Sequence, residues 1–384
     1  ARADIFKNKI LREILKFIKI LPIYRMQDGA QSLVNNNEVF KKSVEILEEK
    51  KILAIFPEAT HWGFRRLRAT KKAIPRIAFM AEEAHNFELN THVVPVGINY
   101  EDYTGMRSNI LINIGEPISV KDFMGLYKNN PQQAHLELKN KIELGIKKLI
   151  IHIPYENQRY EAYDYLRKIC QNTTSKHFSY RGNRFNVAFT SQRKVIDILE
   201  QAKEKTLDDF EKLLDETTQY INALSKQEYQ DCIVEQNGGD AFQIMWNILK
   251  IIVGLPIFII GFLFHFATYY SMNKASKKFT NDKQFYNSIS FGVSFILVPF
   301  SYLLFGLVYL QISPLPFWSV FILFIFLIIT WVLTIEYYKV FIKTSTMLRF
   351  NWNLLLENKS EKELVGRRRK IIKMFSTLLQ KHKN

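Results

Sequence analysis

Two adjacent stretches carry the residue types that could do chemistry. Residues 52–62, ILAIFPEATHW, run from an apolar segment into Pro57, a carboxylate at Glu58, a small residue at Ala59, a hydroxyl at Thr60 and an imidazole at His61. Residues 63–72, GFRRLRATKK, follow with Arg65, Arg66, Arg68, Lys71 and Lys72. A strand that stops at Pro57 leaves backbone N–H groups free where a sheet ends, the usual ligand position in an α/β fold. Add the Thr60 hydroxyl and the cations behind it, and the arrangement suits a phosphate monoester, held by guanidinium forks and fixed amides. Arg25, closing the earlier stretch PIYR, is placed to converge on the same spot. Glu58 would repel a phosphate. Its expected work is to order the loop, pair with an arginine, or accept from a substrate hydroxyl. The plainer alternative is a loop carboxylate in a surface ion pair beside a solvated or lipid-facing basic run.

Elements must position these groups. In residues 8–20, NKILREILKFIKI, the apolar spacing predicts a basic amphipathic helix, either a core helix with one solvated side or a helix on a membrane surface. LPIYRM reads as a short strand. NNNEVFKKSVEILEEKK carries Asn capping signals and Phe40, Val44 and Leu47 at helical spacing. ILAIF, HVVPVGINY and NILINIGEPI are short, rich in Ile and Val, and bounded by Pro, Gly or Asn, so they are expected to be strands. The expected fold for residues 1–150 is therefore an α/β domain, a mixed sheet with flanking helices. Residues 151–242 are polar and predict two amphipathic helices or one long one, with no evident chemistry.

Residues 243–342 form a third region. Residues 288–310 and 317–335 are uncharged and about 20 residues long, enough to cross a hydrocarbon core. Lysines precede them, GRRRK follows, and the turn QISPLPF between them has neither Lys nor Arg. The positive-inside rule then predicts a transmembrane helical hairpin with both flanks cytoplasmic, including a basic tail at 343–384. Residues 249–268, interrupted by Gly254 and Pro256, are expected to be re-entrant or interfacial. Trp318, Trp331, Tyr337 and Tyr338 suit the interface belts. The chain of 384 residues has 53 Lys and Arg against 37 Asp and Glu, a net charge of +16, which favours an anionic partner. Uncharged spans and the lack of zinc-finger or RNA-recognition patterns argue against nucleic acid. Cys170 and Cys232 stand far apart, so no disulfide framework is implied, and the chain reads as facing the cytoplasm. No metal or redox cofactor is implied either.

In order, LPIYR, IFPEATH and VVPVGINY resemble the second, third and fourth sequence blocks of the glycerolipid acyltransferases, the glycerol-3-phosphate and 1-acyl-glycerol-3-phosphate O-acyltransferases. The third block there usually reads Phe-Pro-Glu-Gly-Thr-Arg; here it is Phe56, Pro57, Glu58, Ala59, Thr60 and His61. The resemblance covers roughly residues 1–125. It implies transfer of a fatty acyl group from acyl-CoA or acyl-carrier protein to a hydroxyl of lysophosphatidic acid or glycerol-3-phosphate, at an anionic membrane, in phospholipid biosynthesis. It implies Arg25 as a phosphate contact and Pro57, Glu58, Ala59 and Thr60 as the acceptor-phosphate loop, with Phe56, Arg68 and Lys72 in the same substrate-binding set. Val94, Pro95 and Val96 would build or support the acyl-donor side.

The family's first block is a His followed after four residues by Asp, the His acting as general base and the Asp orienting it. Five positions after His61, His85, His92, His135, His152, His177 and His265 stand Arg66, Asn90, Gly97, Asn140, Asn157, Gly182 and Tyr270, and His382 is too close to the end. The expectation is a chain truncated at its N-terminus, its catalytic base upstream of Ala1. The alternative is a catalytically inactive lipid-phosphate-binding membrane protein, or one using His61 as a substitute base. Ala59 in place of Gly and His61 in place of Arg are further departures.

Overall fold

The computed structural model describes residues 3–24, 36–58, 62–102, 108–280 and 285–381. The chain divides into two compact units, Ala1–Asn99 with Leu111–His152, and Tyr100–Ile110 with Ile153–Asn384.

The first unit contains α1 (Lys9–Phe17), α2 (Asn36–Glu48), α3 (Ala73–Ala84), β1 (His92–Val93), β2 (Val96–Tyr100) and β3 (Ile110–Ile114) apart from their end residues Tyr100 and Ile110, β4 (Ile118–Ser119), α4 (Met124–Asn129) and α5 (Pro131–Leu149). The expected mixed sheet is not what the described residues show. Their four short strands form two separate pairs, β1 with β4 antiparallel and β2 with β3. HVVPVGINY is two strands because Val94 and Pro95 interrupt it, Pro having no N–H for a ladder. Residues 52–56, expected as a strand, have no ladder partner among the described residues. They keep the alternation of one: Ile52 is 95% and Phe56 82% exposed, while Leu53 and Ile55 pack against Val44, Ile77 and Ala81. In LPIYRM, Ile23 forms a bridge, and Arg25 and Met26 lie outside the described residues.

The helices carry the core. Asn130 caps α5 by accepting from the Gln133 N–H at 3.1 Å, with Pro131 opening the helix. Ala134, Leu138, Ile142 and Ile146, each four residues apart, form its buried stripe. They pack with Phe79 of α3, Ile118, Val120 and Phe123. The end of α5 is seated on β2: Asn99 Nδ2 donates to Leu149 O at 2.8 Å, and Ile151 N–H donates to Asn99 Oδ1 at 3.0 Å. Gly97 is needed there, since a Cβ would come within 2.4 Å of Leu149 O.

The second unit contains α6 (Gln158–Ile169), α7 (Gln171–His177), α8 (Arg184–Lys205), α9 (Leu207–Gln227), α10 (Asp231–Glu235), α11 (Ala241–Phe279), α12 (Tyr286–Ile312), α13 (Ser319–Leu355) and α14 (Lys359–Lys381). The amphipathic run expected as one or two helices is two, parted at Thr206. Among the described residues three helices, α11, α12 and α13, are long and apolar enough to cross a membrane. Gly254 and Pro256 do not break α11, which runs unbroken for 39 residues. Proline removes one hydrogen bond in a long helix, and packing compensates: Phe258 stacks on Tyr337 of α13 at 4.4 Å.

Contacts along α11 run in reverse order along α13. Gly238, just before α11, meets Asn351, whose Nδ2 donates to its carbonyl at 2.9 Å; Phe258 meets Tyr337; His265 Nε2 lies 3.2 Å from Thr330 Oγ1. The two helices are antiparallel, and the start of α11 and the end of α13 share one end of the pair. Trp331 and Tyr337 contact α11 through His265 and Phe258. Tyr302 of α12 reaches Phe324 at 6.3 Å and Gly306 lies against Val320, again in reverse order. Phe264 meets Phe305, and Ser276 meets Ser290 at 2.6 Å, so α11 and α12 also oppose. Three near-parallel rods cannot all be mutually antiparallel, so at least one of these crossings is oblique.

The basic tail is not free. In α14, Arg368 pairs with Asp231 at 2.9 Å and Glu235 at 3.2 Å, and Arg367 and Lys370 both pair with Glu216 of α9. Ile371, Phe375, Leu378 and Leu379 are buried beneath them.

Candidate functional site

The loop that leaves residues 51–56 is closed by its own backbone and one side chain. The Lys71 N–H donates to Pro57 O at 3.0 Å, and the Arg68 N–H donates to Glu58 Oε2 at 3.2 Å. Desolvation raises the Glu58 pKa, opposed by the Arg68 N–H and the Arg68 charge. Of the roles open to Glu58, loop ordering is the one present in this geometry.

Trp62 organises the cations. Its indole N–H donates to Arg66 O at 3.0 Å, and its ring carries the Arg68 guanidinium at 4.7 Å and the Arg66 guanidinium at 5.4 Å. Phe64 meets it edge-on at 5.6 Å. Cation–π contacts fix a guanidinium by its face. Two of the expected basic residues are thereby held on one aromatic platform. Lys72 sits at the N-cap position of α3, exposed. Phe56 points outward, 82% exposed. Arg25, Ala59, Thr60 and His61 lie outside the described residues.

The base of the loop is anchored to α5 and the segment after it. Thr70 donates both its N–H, at 3.0 Å, and its hydroxyl, at 2.6 Å, to Glu143 Oε1, which also receives Lys139 Nζ at 2.9 Å. Desolvation would raise the Glu143 pKa, but the donors from Thr70 and Lys139 outweigh it and the net shift is downward. The Leu67 N–H donates to His152 Nδ1 at 3.1 Å. Burial, Lys147 and Arg66 hold the imidazole neutral, its pKa lowered from 6.5 to about 4. A neutral imidazole is what an acceptor Nδ1 requires. Pro57, Thr70, Lys71, Ile74 and Lys139 line a shallow depression beside this anchor.

Sequence reasoning missed Trp62, Glu143 and His152. Trp62 lay within the stretch of interest, and an aromatic among arginines is the signal that could have found it. Glu143 and His152 are separated from their partners by 73 and 85 residues, and no local pattern announces them. On the expected acyl-donor side, Val94 and Val96 are 43% and 44% exposed, and Pro95 O accepts from the Gly115 N–H at 2.9 Å.

A strand-like segment thus ends in a Pro-Glu loop, with clustered arginines and α3 behind it. Residues 1–99 match the family described as Acyltransferase, so the N-terminal segment is an acyltransferase domain. A relative, glycerol-3-phosphate O-acyltransferase 2 of Saccharomyces cerevisiae (strain ATCC 204508 / S288c), is 30% identical over 110 residues. That alignment covers 28% of this chain and 15% of the relative. No solved structure matches the chain.

Proposed function

We propose that the chain serves transfer of a fatty acyl group from acyl-CoA or acyl-carrier protein to a hydroxyl of lysophosphatidic acid or glycerol-3-phosphate, in phospholipid biosynthesis. The observation that carries this reading is the loop itself. Glu58 ties it to the Arg68 N–H, and Trp62 holds Arg66 and Arg68 on its ring. Preorganised guanidiniums beside a Pro-Glu turn suit a phosphate monoester. We assign the acceptor phosphate to Arg25, Arg68 and Lys72 with the loop Phe56, Pro57, Glu58, Ala59 and Thr60. Glu58 keeps the loop shape rather than touching the phosphate. Val94, Pro95 and Val96 are assigned to the acyl-donor side.

A second reading, phosphate-lipid binding without transfer, is favoured by one observation: no His in the sequence is followed after four residues by Asp. An acceptor competition assay separates the readings. Radiolabelled acyl-CoA is supplied with lysophosphatidic acid and glycerol-3-phosphate together, using both residues 1–384 and the protein as the cell translates it. Acylated product from either sample supports transfer and identifies the acceptor. Acceptor binding without product in both samples supports the second reading.

For location, we propose an integral membrane protein whose acyltransferase domain and C-terminal helix face the cytoplasm. The antiparallel α11–α13 pair supports an even number of crossings, since the residues before α11 and those after α13 come together. Arg349 adds to this, donating to the carbonyls of Gln227 at 3.1 Å and Glu228 at 3.2 Å. An even number agrees with the charge pattern of the flanks, basic on both sides.

A further inference from the structure

Helix α1 turns its apolar side to solvent. Phe17 is 86% exposed, Ile10 74% and Ile14 51%, with Ile18 at 53% just past the helix end. At 100° per residue, Ile10, Ile14 and Phe17 fall within a wedge of about 60°, and Lys9, Arg12 and Lys16 lie roughly 110–170° round from its centre. Residues 7–19 hold five cations, Lys7, Lys9, Arg12, Lys16 and Lys19, against one carboxylate, Glu13. Glu13 is shared between Arg12 at 3.5 Å and Lys16 at 3.4 Å. A core helix would bury this stripe, so of the two expectations for α1 the core reading is the one that the exposure contradicts. A stripe of large apolar side chains left in water marks a contact surface.

We propose that α1 is a docking surface for an anionic lipid bilayer. It lies in the plane of the interface, with Ile10, Ile14 and Phe17 in the acyl boundary and Lys9, Arg12 and Lys16 against lipid phosphates. Charge complementarity selects this occupant. An apolar stripe flanked by cations matches acyl chains beneath a layer of phosphates, whereas a purely apolar protein groove would leave the cations unmatched. The same chain carries three helices long and apolar enough to span a membrane. That raises the local concentration of lipid seen by α1, so nine residues of helix suffice where a free peptide of that length would bind weakly. The inference stands on the chemistry of α1 and not on the acyl-transfer reading.

The test uses the full chain in vesicles of phosphatidylcholine and phosphatidylglycerol. Cys170 and Cys232 are replaced by Ala, and a polarity-sensitive fluorophore is attached at Phe17→Cys or, on the opposite face, at Lys16→Cys. The Phe17 label is expected to shift to the blue and to be quenched by spin-labelled acyl chains, while the Lys16 label is quenched by aqueous iodide. Ile14→Cys repeats the measurement should Phe17→Cys fold poorly. Adding Lys9→Gln and Arg12→Gln should lower the ratio of docked to undocked helix about 25-fold, at roughly fivefold per cation. Equal quenching of both labels by iodide overturns the proposal. So does a Phe17 label reached by neither quencher, which would mean that protein, another segment or a second copy, covers the stripe.

Discussion

Glu58 Oε2 accepts the backbone N–H of Arg68 at 3.2 Å, so the carboxylate at the end of the apolar segment is engaged with its own loop. Glu58→Ala removes the acceptor and should destabilise the first unit by about 1 kcal/mol. Glu58→Gln keeps an acceptor and should hold the loop. Because desolvation raises the Glu58 pKa above 4.5, the folded state binds the proton more tightly than the unfolded one. Its contribution is full below pH 4.5 and is lost as pH rises through the raised value. Urea unfolding across pH 4–7 should show that slope in the wild type and lack it in Glu58→Gln.

His152 works with the opposite sign. Its pKa is lowered from 6.5 to about 4 by burial, Lys147 and Arg66. The unfolded state therefore binds more protons between those values, and the contribution present above pH 6.5 is lost as pH falls toward 4. Protonated Nδ1 can no longer accept from Leu67. Hydrogen exchange of a peptide spanning residues 64–70 should lose protection over pH 6.5–4, after correction for intrinsic rates. His152→Asn, which retains an acceptor oxygen, should remove the dependence.

Thr70 and Glu143 form a coupled anchor, with two donors on one carboxylate oxygen. Thr70→Val removes the hydroxyl alone and should cost about 1–2 kcal/mol. Glu143→Ala also leaves the Thr70 donors and Lys139 unmatched and should cost about 2–3 kcal/mol. A double-mutant cycle by chemical denaturation should return a coupling of about 1 kcal/mol. Additive losses would contradict the geometry.

The sequence revealed most where a motif is local. PEAT and the basic run drew attention to the loop, and apolar run lengths gave the long C-terminal helices. It misled where partners decide. ILAIF has strand composition, but residues 52–56 lack a neighbouring strand among the described residues, and composition cannot supply one. Gly254 and Pro256 suggest an interruption within residues 249–268, yet α11 runs through both, with Phe258 stacked on Tyr337. GRRRK reads only as a basic stretch, because Glu216, Asp231 and Glu235, which pair with Arg367, Arg368 and Lys370, lie more than 130 residues earlier. The anchors Glu143 and His152 were illegible for the same reason.

Gly261 sets how closely α11 and α13 approach. A Cβ there would come within 2.0 Å of Thr334 Oγ1 and 3.0 Å of Thr330 O. Gly261→Val should part the helices and disturb the nearby His265–Thr330 contact. A cysteine pair at Phe258 and Tyr337 should crosslink in the parent and lose most of its yield in Gly261→Val. Gly292, where a Cβ meets nothing within 4 Å, should tolerate Ala with crosslinking unchanged.

On the proposed function, the loop behind Phe56 holds an acceptor phosphate for acyl transfer. The most direct measurement is steady-state acyl transfer to lysophosphatidic acid and glycerol-3-phosphate by the protein as translated in the cell, with Arg68→Ala and Trp62→Leu compared against it. Turnover is expected with one of the two acceptors. Each variant should raise the acceptor KM about tenfold or more, with the KM for acyl-CoA unchanged, as loss of a charge-assisted phosphate contact requires. An unchanged acceptor KM in Arg68→Ala, with the fold intact, would contradict it.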